Sequence, residues 1–429
     1  MGVQCQAVDA GADLAGYDTL IVGKGALTLD GPAPDVARVR DGLKVVMFEQ
    51  ASEVLEKRLG FRVAEYGLRW VFRRVPDHPL LTDVSDAALW NWRGDATLLP
   101  PRLTYQQQPN TGAPMVKWCD IPVTQVWRAG NRGNVASVLI EKPARGDFMP
   151  ILDGGYSLQF SPLMEYREGK GMVLFCQTDV TGRTESDPAA ETLARNIVRY
   201  VADWKPSPRR TVVYAGEDAG KKHLEAAGLS MAAYAGGPLL PDQVLVVGLG
   251  GGQGLAGNAA AVADFLKAGG DCLALGLDEQ EANAFLPVKI ATKKAEHIAA
   301  VFDSPGKGSL LAGVSPADVH NRDPRDLPLV SGGATVFGDG VLAKAENGNV
   351  VFCQMLPWQF DVGKWNTKRT FRRASFLMTR LLANMGAAGA TPLLDRLHSP
   401  VKEGEKRWLS GLYLDVPEEW DYPYRFFCW

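Results

Sequence analysis

The chain has 429 residues, 46% of them hydrophobic and 22% charged, and a formal net charge of −3. Those proportions fit an ordinary globular protein with room for two or three domains of roughly 150 residues each. They exclude nucleic acid or an anionic membrane as the main partner, because the bulk charge attracts neither.

In chain order, Gly2–Val8 and Tyr17–Gly25 read as strands, Val36–Asp41 as a short helix, Leu43–Phe48 as a third strand, and Ser52–Leu59 as a helix closed by Gly60. Strands alternating with helices at this spacing predict a parallel sheet with helices on its faces. A long stretch follows, from Ser85 to Gly171. It holds Trp90, Trp92, Trp118 and Trp127, with Arg93, Arg128 and Arg132, and the run Ile140-Glu141-Lys142-Pro143-Ala144-Arg145-Gly146-Asp147. Then Gly171-Met172-Val173-Leu174-Phe175-Cys176-Gln177 reads as a buried strand. The helix after it opens at Pro188 and aligns Leu193, Ile197, Val198 and Val201.

Past the proline-marked linker Trp204–Pro208 the pattern restarts. Thr211–Tyr214 is a strand, Gly220–Ala227 a helix, and Gly228–Tyr234 a strand matching Gly2–Val8. Gln243–Gly250 matches Thr19–Gly25, Asn258–Ala268 is a helix, and Asp271–Leu275 matches Val45–Phe48. Leu310–Ser315 echoes Leu80–Ser85, and Gly348-Asn349-Val350-Val351-Phe352-Cys353-Gln354 repeats the Phe-Cys-Gln strand. A second amphipathic helix follows, carrying Phe371, Ala374, Leu377, Met378, Leu381 and Leu382 and stopping at Gly386.

A repeat of this size predicts an α/β protein of two tandem three-layer domains with parallel sheets. The first spans residues 1–205, with an insertion at about 87–150. The second spans 206–388, and 389–429 form a linker and an aromatic tail that docks on a neighbouring surface. Thr211–Ala227 has no counterpart before Gly2. The first domain is therefore expected to lack its opening βα unit, which would lie upstream of Met1; a naturally shorter first domain is the alternative.

Doubly wound sheets carry their sites at the C-terminal ends of strands. That singles out Glu49 and Gln50, Thr178 and Asp179, the stretch Gly276–Gln280, and Met355–Trp358. Trp92, Arg93, Trp118, Trp127, Glu141, Lys142, Arg145 and Asp179 are candidate binding residues, because aromatic and Arg/Asp side chains are common hardware for sugars and protein partners. Inward-packing tryptophans in a structural insertion are the alternative. Glu49 and Glu141 are the candidates for a catalytic carboxylate pair, which would need a separation of about 5 Å or roughly 6.5–9.5 Å.

Gly248–Gly254 follows a strand, but Gln253 stands where a dinucleotide fingerprint needs its third glycine, so no cofactor is expected. Five histidines without ligand spacing predict no metal. Six cysteines without a C-x-x-C pair read as buried small hydrophobes. No apolar run reaches the roughly 18 residues of a membrane span, and Met1–Ala12 shows no signal-peptide pattern. The compartment is left open, secretion or the periplasm included.

The strand order, the glycine after the second strand and the late strand feeding a C-terminal helix resemble the class I glutamine amidotransferase-like fold. Active members of that fold carry a nucleophilic cysteine in a turn after the third strand and a His-x-Glu pair after the late strand. Here no cysteine follows Phe48 or Leu275, and no histidine follows Gln177 or Gln354. The resemblance therefore implies domains without amidotransferase or protease activity. Asp77-His78-Pro79-Leu80-Leu81, Asn91–Thr97, Ile140–Pro143, Phe160–Tyr166 and Asp421–Phe427 are similar to the C-terminal half of large bacterial glycoside hydrolases related to family 2 β-galactosidases and β-glucuronidases. That similarity implies a catalytic barrel upstream as the partner. It implies for this chain a non-catalytic accessory role, in assembly as a homo-oligomer or in shaping a sugar site. Carbohydrate binding through the Trp/Arg insertion, and hydrolysis by a carboxylate pair in this chain, are the alternatives.

Overall fold

The computed structural model describes residues 4–96, 132–346, 349–402, 404–405 and 411–416, together with the strand backbones at 104–107, 114–118 and 121–123. It is a mixed α/β structure with two large sheets.

The first sheet contains β1 (Thr19–Val22), β2 (Lys44–Met47), β3 (Val63–Leu68), β4 (Phe72–Arg73), β5 (Ala136–Glu141), β6 (Asp147–Gly154), β7 (Phe160–Glu168) and β8 (Gly171–Cys176). The order is β1-β2-β8-β7-β5-β3, with β6 pairing both β7 and β4. β1, β2 and β8 are parallel; β7 turns antiparallel to β8. Side chains alternate between two cores, as the period of a strand requires. Val45, Met47, Val173 and Phe175 face Val36, Val39, Leu55 and Leu59. Val46, Met172, Leu174 and Cys176 face the helix α1 (Pro188–Asp203) through Leu193, Ile197 and Val201. Each of those buried aliphatics stabilises the fold by roughly 1.5–3 kcal/mol. Asp187 caps α1, its Oδ1 accepting from the Ala189 and Ala190 amides, and Pro188 pre-sets the first turn.

The second sheet contains β9 (Thr211–Ala215), β10 (Met231–Ala233), β11 (Gln243–Val247), β12 (Asp271–Leu275), β13 (Thr335–Phe337), β14 (Leu342–Lys344) and β15 (Val350–Cys353). Its order is β10-β9-β11-β12-β15-β14-β13. The first five are parallel and the last two antiparallel. Val244, Val246, Leu273, Leu275 and Val351 pack on helix α2 (Trp365–Asn384), while Leu245, Val247, Cys272 and Ala274 pack on Val262, Phe265, Ala282 and Phe285. Thus β1-β2-β8-β7 and β11-β12-β15-β14 share one arrangement of three parallel strands and an antiparallel fourth.

The expected strand Gly2–Val8 is absent over its described residues 4–8, which are irregular and mostly exposed. The reason is topological. Its sequence match, β10, pairs only with β9. Among the described residues the first sheet has no strand like β9, and β1 is its edge. A lone strand without a partner has no ladder to join. The insertion expected at 87–150 is in large part sheet as well. β5 and β6 are fully buried strands of the first sheet. Trp92–Asp95 pairs with Arg132–Gly133, and 104–107, 114–118 and 121–123 form a separate antiparallel sheet. The tail beyond 416, Cys119 and Cys428 lie outside the described residues.

The two halves are joined by a buried ionic clamp. Arg74 donates from Nη1 to Asp153 Oδ2 (2.7 Å) and Ser315 Oγ (3.0 Å), from Nε to the Gly313 carbonyl (2.6 Å), and from Nη2 to Asp318. Lys142 Nζ lies 2.6 Å from Asp153 Oδ1. On α2, Arg380 Nη1 reaches Asp147 Oδ1 (3.0 Å) and the Phe148 carbonyl (2.6 Å). Burial and the neighbouring Arg74 push Lys142 down to about 8, against the pull of Asp153 and Asp318.

Candidate functional site

The C-terminal ends of β1, β2 and β8 converge on one rim, where an open sheet of this kind would hold a ligand. Gln50 and Gln177 clasp each other across it. The Gln50 amide donates to Gln177 Oε1 (2.8 Å), and Gln177 Nε2 donates to the Gln50 carbonyl (3.2 Å). Glu49 is fully buried and accepts from the Thr181 amide (2.8 Å) and hydroxyl (2.7 Å). Burial raises its carboxyl above the usual range, and the Thr181 bonds and Lys24 only partly offset this. Asp179 lies 3.4 Å from Lys24 Nζ and 3.0 Å from Arg183 Nη1. The Cys176 sulfur sits 3.0 Å from the Thr178 hydroxyl, and burial pushes its thiol far up.

The second sheet carries its glutamine at the same strand end, with Oε1 left without a hydrogen-bond partner among the described residues. Gln354 Nε2 donates to the Leu277 carbonyl (3.2 Å). The Cys353 thiol points at the Met355 carbonyl, and burial raises it to about 12. After β12 comes Gly276, at φ +69°, where an added Cβ would lie 2.6 Å from Leu356 Cδ1. Apolar side chains fill the place a strained nucleophile turn would need.

Arg183 extends the first rim sideways. Its Nη1 donates to the Asn134 carbonyl (2.8 Å), its Nη2 to the Arg93 carbonyl (2.8 Å), and its guanidinium lies 5.8 Å from the Trp92 ring centroid. Asp187, the cap of α1, holds the Arg93 amide at 2.7 Å. Beyond these bonds opens a cleft of about 540 Å³, lined by Arg69, Asn91, Trp92, Arg93, Gly94, Asp95 and Gly133. Its walls bend at three positive-φ residues, Asn91 (48°), Gly94 (78°) and Gly133 (79°).

The predicted residues divide accordingly. Trp92 and Arg93 line the cleft, and Asp179 is tied to it through Arg183. Trp92 is buried, and its indole donates to the Ala88 carbonyl (2.8 Å). Glu141 and Lys142 lie in the interior instead. Glu141 sits 3.8 Å from Arg62 and 3.9 Å from Arg372. Lys142 belongs to the clamp and also donates to the Leu158 carbonyl (2.6 Å). Arg145 bonds the Ala390 carbonyl (3.1 Å). Glu49 and Glu141 share no partner in these contacts. The Trp118 side chain, Trp127, Arg128 and the Arg132 side chain lie outside the described residues. Sequence reasoning missed Lys24, Thr181, Arg183 and Arg69. Only Arg183 left a signal, its four-residue spacing from Asp179.

Among the described residues no group of three or more His, Cys, Asp and Glu side chains could hold a metal ion, and no helix is long and apolar enough to cross a membrane. No protein-family model matches the chain, and no curated protein matches it. A solved structure, described as that of PurLQS from Thermotoga maritima, aligns with 41% of this chain and 99% of its own at 11% identity and a TM-score of 0.29, which carries no argument.

Proposed function

We propose that the chain is a non-catalytic accessory region of a glycoside hydrolase, built from two flavodoxin-like units of the class I glutamine amidotransferase-like kind. In support, β10-β9-β11-β12-β15 runs in the order 2-1-3-4-5, and the first sheet repeats its last three strands and the antiparallel strand that follows. The glycosidase parentage rests on the sequence motifs at Asp77–Leu81, Asn91–Thr97, Ile140–Pro143, Phe160–Tyr166 and Asp421–Phe427. The barrel of that parent is the proposed partner, and a second copy of this chain is a further one.

The observation that carries the non-catalytic reading is the filling of both rims. Each strand-end cysteine is a buried thiol bonded to its own loop, each Glu49 oxygen accepts a bond from Thr181, Gln177 uses both ends of its amide on the Gln50 backbone, and Gln354 donates to the Leu277 carbonyl. A nucleophile needs exposure, a base within hydrogen-bond reach and an orienting group. The test is turnover by the purified chain of chromogenic glycosides, glutamine and simple esters at millimolar concentration. Background rates are expected throughout. Turnover that disappears in Glu49→Gln would overturn the proposal.

A further inference from the structure

Three large aromatic side chains stand out on one surface: Trp70, Phe72 and Trp90 are 52%, 40% and 56% exposed. Their rings form a continuous tilted row. Trp70 lies 5.0 Å from Phe72 and 6.1 Å from Trp90, centroid to centroid, at interplanar angles of 31° and 39°. The row is rigidly mounted. Trp70 and Trp90 form an antiparallel bridge, the Val71 amide donates to the Leu89 carbonyl (3.2 Å), and the Asn91 amide donates to the Arg69 carbonyl (2.8 Å). Phe72 is fixed by pairing with Asp153 of β6. A fold that holds three such rings in water, instead of turning them into an adjacent core, marks a binding surface.

The row continues into the polar cleft. Arg69 precedes Trp70 and Asn91 follows Trp90 along the chain, and both line the cleft with Arg93 and Asp95. Arg69 Nε is buried and, among the described residues, has no hydrogen-bond partner. Among the described lining residues, two guanidiniums against one carboxylate give the cleft a positive balance. We propose that the aromatic row and this cleft together bind an oligosaccharide carrying a uronic acid residue. The apolar C–H faces of its pyranose rings stack on Trp70 and Trp90. The uronate carboxylate is drawn to the planar forks of Arg69 and Arg93, and hydroxyls meet the Asn91 amide and Asp95. The footprint is that of a small ligand, three rings and one cleft. A stable protein partner would cover about 800 Å² on each side. The choice of a glycan as ligand rests on the accessory reading above; the location of the site does not.

The test is calorimetric titration of the full chain with oligogalacturonate, with a glucuronic-acid-substituted xylo-oligosaccharide, and with neutral xylo- and cello-oligosaccharides of equal length. Saturable binding of the acidic ligands is expected, at least tenfold tighter than the neutral ones. Trp70→Ala and Trp90→Ala should each weaken it at least tenfold without moving the melting temperature, and Arg69→Met should erase the preference for acid. No binding across the panel, or a preference for neutral ligands, overturns the proposal. So does self-association that Trp90→Ala abolishes, which would make the surface a contact between copies. Acidic-glycan binding untouched by both tryptophan variants removes this site while leaving the accessory reading intact. Glycoside turnover by the chain removes that reading while leaving the site.

Discussion

Replacing Arg74 with alanine is expected to lower the free energy of unfolding by roughly 3–5 kcal/mol, the cost of breaking a buried ion pair from one side. The guanidinium is completely enclosed and uses all three nitrogens on Asp153, Ser315, Gly313 and Asp318. Burial alone would lower its pKa, but the two carboxylates outweigh that and raise it. Removing it strands Asp318 in the second half facing Asp153 in the first. Lys142 can compensate only in part. It already contacts Asp153, and losing the repulsion from Arg74 should raise its pKa above about 8. In the native chain the Lys142 pKa is depressed below the unfolded value of roughly 10.4. The folded state therefore binds fewer protons between about pH 8 and pH 10.4, and this group adds stability as pH rises through that window. The rise should shrink in Arg74→Ala. Denaturant unfolding at several pH values checks both effects; a loss below about 1 kcal/mol would mean that the clamp does not hold the halves together.

The second large effect separates two tryptophans that sit two residues apart. Trp92→Ala should cost about 3–5 kcal/mol, because the ring is buried among Val71, Val75, Leu89 and Val135 and its indole N–H would leave the Ala88 carbonyl without that bond. Trp90→Ala should change stability by no more than about 0.5 kcal/mol, because its ring faces solvent. Thermal unfolding of the two variants gives the ranking directly. Equal losses would contradict the placement of both rings.

That contrast also shows where the sequence stops being legible. In a regular strand residues 90 and 92 share a face. Asn91 takes φ +48°, a left-handed conformation in which asparagine is enriched, and the alternation breaks there. Nothing in the string Trp-Asn-Trp announces the break. The apolar runs at β2, β8, β11, β12 and β15 were readable because their β-branched content leaves little choice but a buried strand. The glycine opening the repeated motif was visible, and its necessity was not. A Cβ on Gly171 would stand 2.2 Å from the Leu43 carbonyl, so the close approach of β8 to that segment forbids a side chain.

Glu141 and Lys142 stand in the sequence as candidate binding residues. Their burial depends on Arg372, Asp318 and other groups brought in from the far half of the chain. Glu49 and Asp179, by contrast, followed from the rule that places sites at strand ends. Their partners Thr181 and Arg183 lie where that rule marks nothing.

The strand-end thiols of Cys176 and Cys353 are part of the cores. Peptide-resolved mass spectrometry after iodoacetamide treatment of the native chain near pH 8 tests this directly, because only an accessible thiolate alkylates. The exposed Cys5 should be modified, while Cys176 and Cys353 remain unmodified until denaturant is added. Alkylation of Cys176 or Cys353 in the folded chain at the rate of Cys5 would contradict the account and restore a nucleophile to the rim.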